Sequence, residues 1–290
     1  MSCMSCWRPA LMLCLVLSSL PLVRAADEVK ITPDVVYGHK DGLALTFDVF
    51  APLSNANGAG LLFMVSGGWY SSWSPPEAAL PGFKPMLDAG FTVFAVRHGS
   101  SPRYGIPDAV EDVRRSVRYI RAHAATWKVD PQRLGVYGMS AGGHLSLMLG
   151  TASDEGDPQA KDPVLRVSSR VQAVVAFVAP TDLRVMVWQT EGHLPAYDQF
   201  PALNLPVEEA AKYSPLLHVS PDDAPTLLLV GKKDELVPMK HSENIYAAFK
   251  EQSVTSELVV YEESGHGFVP QEREQAMQAL VEWFQNQLLK

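Results

Sequence analysis

Two hydrophobic patterns alternate along this chain. Short continuous apolar runs at residues 61–65, 91–96, 134–137, 171–178, 226–230 and 257–261 predict buried strands. Ahead of them, residues 35–37 and 43–50 predict an antiparallel pair turned at Lys40-Asp41-Gly42. Elsewhere the period lengthens to that of a helix. Val110, Val113, Val117 and Ile120 share one helical face behind Pro107. Residues 141–150 predict a second helix, and Met277, Leu280, Val281, Phe284 and Leu288 form the apolar stripe of a C-terminal one. This alternation predicts an α/β fold: a mostly parallel, eight-stranded sheet with helices on both faces. Two stretches interrupt it. Residues 151–169 are polar, with glycine and proline. Residues 183–222 hold Trp188, Tyr197, Phe200, Tyr213 and five prolines, and predict an insertion over the sheet.

The first residues follow neither pattern. Arg8 precedes a short apolar run, and Val23-Arg24-Ala25-Ala26 ends it with small residues. That order predicts a secretory leader over residues 1–25, too short for a comfortable membrane span, followed by one domain over 26–290. Cleavage falls after Ala25, with Ala26 as the alternative. The expected location is secreted or periplasmic, with no membrane anchor once the leader is gone. All three cysteines, Cys3, Cys6 and Cys14, belong to the leader. The mature chain then holds no disulfide, thiol nucleophile or cysteine-bound metal.

Charge narrows the partners further. Lys and Arg number 24 against 32 Asp and Glu, a formal charge of −8 that loses two more positives with Arg8 and Arg24. Phosphate backbones need a basic surface, so nucleic acid is not an expected partner. The acidic Asp154-Glu155-Gly156-Asp157 lacks calcium-loop spacing, and no His-x-x-x-His zinc pair occurs. No metal or cofactor is expected.

The chemistry concentrates in Gly138-Met139-Ser140-Ala141-Gly142, between a predicted strand and an apolar helix. A serine on so tight a turn is forced outward, and its glycines leave room for the neighbouring strand and helix. Its hydroxyl needs a base and the base an orienting carboxylate. His266, between glycines after the last strand, is the candidate base. Asp234, after the strand at 226–230, is the candidate acid; Glu235 is adjacent, and Asp182 is a second choice. The order Ser140, Asp234, His266 along the chain suits a hydrolase of this topology. Gly67, Gly68 and Ala141 are candidate backbone donors to an oxyanion. Trp69, Tyr70 and Trp188 are candidate contacts to the substrate. His98 reads as a packed loop histidine, with the edge of the pocket as the alternative, and no catalytic role is expected of His144.

These motifs, with Asp130-Pro131-Gln132-Arg133, Val237-Pro238 and Gly265-His266-Gly267, resemble the α/β-hydrolase superfamily. Within it the chain is similar to bacterial esterases of the hormone-sensitive-lipase-like and feruloyl-esterase-like groups. Those families usually carry His-Gly-Gly-Gly where this chain has Val65-Ser66-Gly67-Gly68. The resemblance implies a serine esterase acting on a small-molecule or polysaccharide-linked ester, without cofactor. A prolyl-oligopeptidase-type peptidase and an inactive hydrolase fold used for binding are the alternatives.

Overall fold

The sheet begins with a hairpin of β1 (Val29–Lys40) and β2 (Leu43–Pro52). Its two turn residues, Asp41 (φ 48°) and Gly42 (φ 79°), are both left-handed, as a two-residue hairpin loop requires. The computed structural model describes residues 29–188 and 190–290, so the predicted leader lies outside the described residues. Six further strands follow: β3 (Gly60–Met64), β4 (Thr92–Val96), β5 (Leu134–Met139), β6 (Ala173–Phe177), β7 (Thr226–Gly231) and β8 (Ser256–Tyr261). They assemble in the order β1-β2-β4-β3-β5-β6-β7-β8. The β1–β2 and β2–β4 pairs are antiparallel; every pair from β4 to β8 is parallel. The predicted eight-stranded α/β sheet is therefore the observed one.

Parallel strands must be covered on both faces. One face is covered by α1 (Pro76–Asp88) and α6 (Pro270–Leu288) around Phe83, Met86, Leu280 and Phe284. The other is covered by α2 (Ile106–Ala122), α3 (Ala141–Thr151) and α5 (Lys240–Glu251) around Val113, Val117, Leu145, Met148 and Phe249. Neither α1 nor α5 is among the elements the periodicity predicts. Pro81 and Pro85 lie inside α1, and each removes a helical N–H. Burial of Phe83, Met86 and Leu87 against the sheet holds that helix together regardless.

The two irregular stretches differ in what holds them. Residues 152–170 are fastened by arginines that α2 presents at helical spacing. Arg118 grips the Asp154 carboxylate at 2.5 and 2.6 Å, and Arg121 donates to the carbonyls of Ser168 and Arg170. The acidic run thus meets arginine, and no cluster of metal-ligating side chains occurs among the described residues. The stretch between β6 and β7 carries short 3-10 turns and one short helix, α4 (Val207–Lys212). Its Leu183, Tyr197, Leu203 and Ala210 join the core on the α3 face.

Phe284 stands against β5 so closely that a Cβ on Gly135 would lie 2.6 Å from its ring. Phe284→Ala should leave an unfilled cavity there and lower unfolding free energy by about 3–5 kcal/mol. Equilibrium urea denaturation measures it; a loss under about 1 kcal/mol would mean that the site collapses to fill the space.

Candidate active site

Ser140 sits at the turn from β5 into α3 in a left-handed conformation, φ 55° and ψ −120°. A non-glycine residue there is strained by about 1–3 kcal/mol, so its surroundings must enforce it. They do so through close packing. A Cβ on Gly138 would lie 2.4 Å from the backbone of Gly142, and one on Gly142 would lie 2.7 Å from the Met64 carbonyl. Gly143 is equally confined, by Ala179 and the Phe177 carbonyl at 2.9 Å. The Ser140 N–H donates to that same Phe177 carbonyl at 2.9 Å, which ties the turn to β6.

His266 lies on the loop after β8, and Asp234 on the loop after β7. The imidazole Nδ1 meets Asp234 Oδ2 at 2.9 Å. The other carboxylate oxygen accepts from the N–H groups of Leu236 and Val237 at 2.9 and 2.8 Å. The acid is therefore aimed by its own loop: its side chain is fully buried, while that of His266 is 25% exposed. Asp182, the second choice for the acid, is taken by Arg184 at 2.8 and 2.9 Å and has no contact with His266. All three loops leave the carboxyl ends of parallel strands. A cleft of about 520 Å³ lies between two of them, lined by Gly138 and Met139 next to Ser140 in the chain and by Gly267 and Phe268 next to His266. Phe63, Phe83 and Phe177 make its walls apolar.

The loop after β3 forms a tight turn. Gly67 and Tyr70 exchange both backbone hydrogen bonds, at 3.0 and 2.9 Å. Gly68 (φ 56°) and Trp69 (φ 60°) are both left-handed at its tip. This corrects one expectation: the Gly67 N–H closes the turn on the Tyr70 carbonyl and is not free for a substrate oxygen. No acceptor among the described residues takes the N–H of Gly68 or of Ala141. Ala141 opens α3, where the first N–H groups have no intrahelical partner. Gly68 also has no room for a side chain, because a Cβ would lie 2.5 Å from the Phe200 ring.

Trp69 is a second correction. It was expected to face substrate, yet it is only 2% exposed. Its indole N–H donates to His144 Nδ1 at 3.2 Å, and His144 Nε2 donates to the Tyr213 carbonyl at 2.7 Å. These two bonds set the neutral tautomer of His144, and burial pushes its pKa down to about 4. One imidazole so links the turn, α3 and the stretch before β7. Tyr70 remains 37% exposed and Trp188 54% exposed, the latter tilted over His193 at 5.2 Å. His193 in turn meets Tyr197, whose hydroxyl is pushed up to about 12 by burial and by the Asp234 charge.

His98 and Phe200 do more here than sequence reasoning assigned them. His98 is buried beside the turn; Phe200 covers Gly68. Neither carries a motif, since each acts through a neighbour distant in sequence. Like His144, His98 has its pKa pushed down to about 4 by burial.

A histidine that stays neutral when folded destabilises the fold as pH falls, because only the unfolded chain takes up its proton. Between pH 6.5 and 4, His98 and His144 should each cost stability, on the order of 3 kcal/mol at the lower end. Imidazole nitrogen shifts measured by NMR should report both rings neutral at pH 5. Titration of either near pH 6.5 would contradict this.

The BD-FAE family profile matches residues 47–249, from β2 to α5. The probable carboxylic ester hydrolase LipM of Mycobacterium tuberculosis is 28% identical over 236 residues, 79% of this chain. The chain spans about half the length of LipM and of the esterase LipQ from the same organism, 54% and 53%. An ethyl acetate hydrolase of Pseudomonas putida is 27% identical over 93% of this chain and 87% of its own length. Among solved structures, a truncated carbohydrate esterase from gut microbiota has a TM-score of 0.76 at 25% identity, covering 92% of this chain and 99% of its own. Est2, an esterase of Thermogutta terrifontis, shares the fold at 21% identity, with a TM-score of 0.71 over 90% and 93% of the two chains. With the profile running through most of the α/β-hydrolase sheet and past the Asp234 loop into α5, the chain belongs to the BD-FAE family.

Proposed function

We propose that the protein hydrolyses carboxylic esters through an acyl-enzyme on Ser140. The observation that carries this reading is the Asp234–His266 pair, at 2.9 Å, on loops that leave the same carboxyl end of the sheet as the strained serine turn. Asp234 holds the Nδ1 proton of His266, which leaves Nε2 as the base. As Ser140 Oγ attacks the ester carbonyl, His266 takes its proton; Asp234 stabilises the resulting imidazolium. Charge that develops on the carbonyl oxygen is met by the N–H groups of Gly68 and Ala141. His266 then protonates the departing alcohol. Water, deprotonated by the same imidazole, releases the acid and restores Ser140.

Substrate is a small or polysaccharide-linked ester. Exposed Tyr70 and Trp188 supply flat faces for a sugar or aromatic limb. The names of the relatives, among them a carbohydrate esterase, support that class. Residues 1–25 act as an export leader, and the protein works outside the cytoplasm. No helix among the described residues is long and apolar enough to cross a membrane.

Hydrolysis of p-nitrophenyl acetate tests the chemistry. Ser140→Ala should abolish turnover, and Asp234→Asn should lower kcat by about 10³-fold or more, because the base loses its oriented tautomer. Gly68→Ala, which brings a methyl into the Phe200 ring and strains φ, should cost about 10²-fold in kcat. Equal rates for wild type and Ser140→Ala would overturn the reading. Faster cleavage of a proline-containing peptide amide than of the ester would replace it with a peptidase. For the leader, the N-terminal residue of exported protein should be Ala26, by intact mass; a chain still starting at Met1 would contradict it.

A further inference from the structure

The Gly68 N–H can meet an oxyanion only if the turn that carries it is held still. That turn, Gly67 to Tyr70, has two legs: Ser66 leads in and Ser71 leads out. Both legs end on His98, which comes from the exit of β4. His98 Nε2 meets Ser66 Oγ at 2.9 Å, and its backbone N–H donates to Ser71 Oγ at 3.2 Å. Ser71 Oγ in turn donates to the Val65 carbonyl at 2.7 Å, and the Ser71 N–H donates to Ser100 Oγ at 3.0 Å. The ring's other nitrogen, Nδ1, lies 2.8 Å from the Gly99 carbonyl, which can only accept. Nδ1 therefore carries the proton, Nε2 is the acceptor, and the Ser66 hydroxyl donates to it.

The imidazole is itself held from behind. The Gly99 N–H donates to Asp112 Oδ2 at 2.8 Å, and the other Asp112 oxygen is paired with Lys40 at 2.7 Å. A Cβ on Gly99 would lie 2.8 Å from the Tyr104 ring, so no side chain fits at this position. His98 is 5% exposed, and its burial keeps the ring neutral and hence an acceptor.

We infer that His98 is a positioning residue for ester hydrolysis: through Ser66 it locks the turn that presents the Gly68 N–H to the oxyanion. The histidine reaches the turn from the exit of the neighbouring strand. The inference rests on the proposed role of Gly68 as an oxyanion donor.

The lock acts on the transition state, where the oxyanion exists, and not on ground-state binding. Ser66→Ala and His98→Asn, which keeps a donor for Gly99 but has no atom at the Nε2 position, should each lower kcat about 5- to 10-fold with KM unchanged. Ser66→Thr and His98→Gln restore a donor and an acceptor, and should return kcat to within about 2-fold of wild type. The double variant Ser66→Ala/His98→Asn should be no slower than the worse single one, since both remove the same bond. Affinity for a trifluoromethyl ketone, which forms a tetrahedral oxyanion on Ser140, should fall by the same factor as kcat. Thermal melts identify any variant that fails to fold; Ser66→Ala, half-exposed in a loop, carries the test if His98→Asn does. Unchanged kcat in Ser66→Ala, additive losses in the double variant, or a raised KM at normal kcat would each overturn the inference. Wild-type turnover in Ser140→Ala would instead remove the esterase reading beneath it, so the two failures are separable.

Discussion

The absence of side-chain space between β5 and α3 governs the rest of this structure. Gly138 and Gly142 face one another across the serine turn, and Gly142 presses on the Met64 carbonyl at the end of β3. The strand, the helix and their neighbour are thereby brought closer than any Cβ would permit. That approach strains Ser140 and lifts it above the sheet. It also places the first turn of α3, with its unpaired N–H groups, next to the loop after β3. The segments that carry the two proposed oxyanion donors are adjacent because their backbones touch.

Around this contact the protein uses buried neutral histidines as connectors. His144 joins the Trp69 indole to the Tyr213 carbonyl, and His98 joins Ser66 to Gly99. A neutral imidazole suits the task, since it offers one donor and one acceptor on a rigid ring at fixed directions. Burial disfavours the charged form and so keeps that pattern intact. The left-handed Trp69 is maintained in the same way: its ring is buried and its N–H partnered, which offsets the local strain.

Much of the candidate site was legible in the chain because its parts follow strands. Ser140, Asp234 and His266 each lie just beyond an apolar run, and a parallel sheet brings such positions to one edge. The elements that escaped were those whose local signal conflicts with their context. In α1, Pro81 and Pro85 argue against the helix that Phe83 and Met86 hold on the sheet. Gly67 and Trp69 escaped for a different reason. Their residue types suit an oxyanion donor and a stacking ring, but a hydrogen bond to Tyr70 and one to His144 use those groups up.

The sequence by itself determined the alternation of strands and helices, the serine turn, and the chain order of the candidate acid and base. These depend on periodicity and on residues a few positions apart, where backbone geometry is local. Only the tertiary structure decided which donors are free, that Asp234 and not Asp182 meets His266, and that His98 and Phe200 attend the turn. The Gly67 donor is used up by Tyr70, three residues on, through a turn closure that no periodicity shows; the other two depend on contacts between segments separated by tens to more than a hundred residues. No periodicity records such distances, because they are set by how the sheet is ordered and how its loops pack.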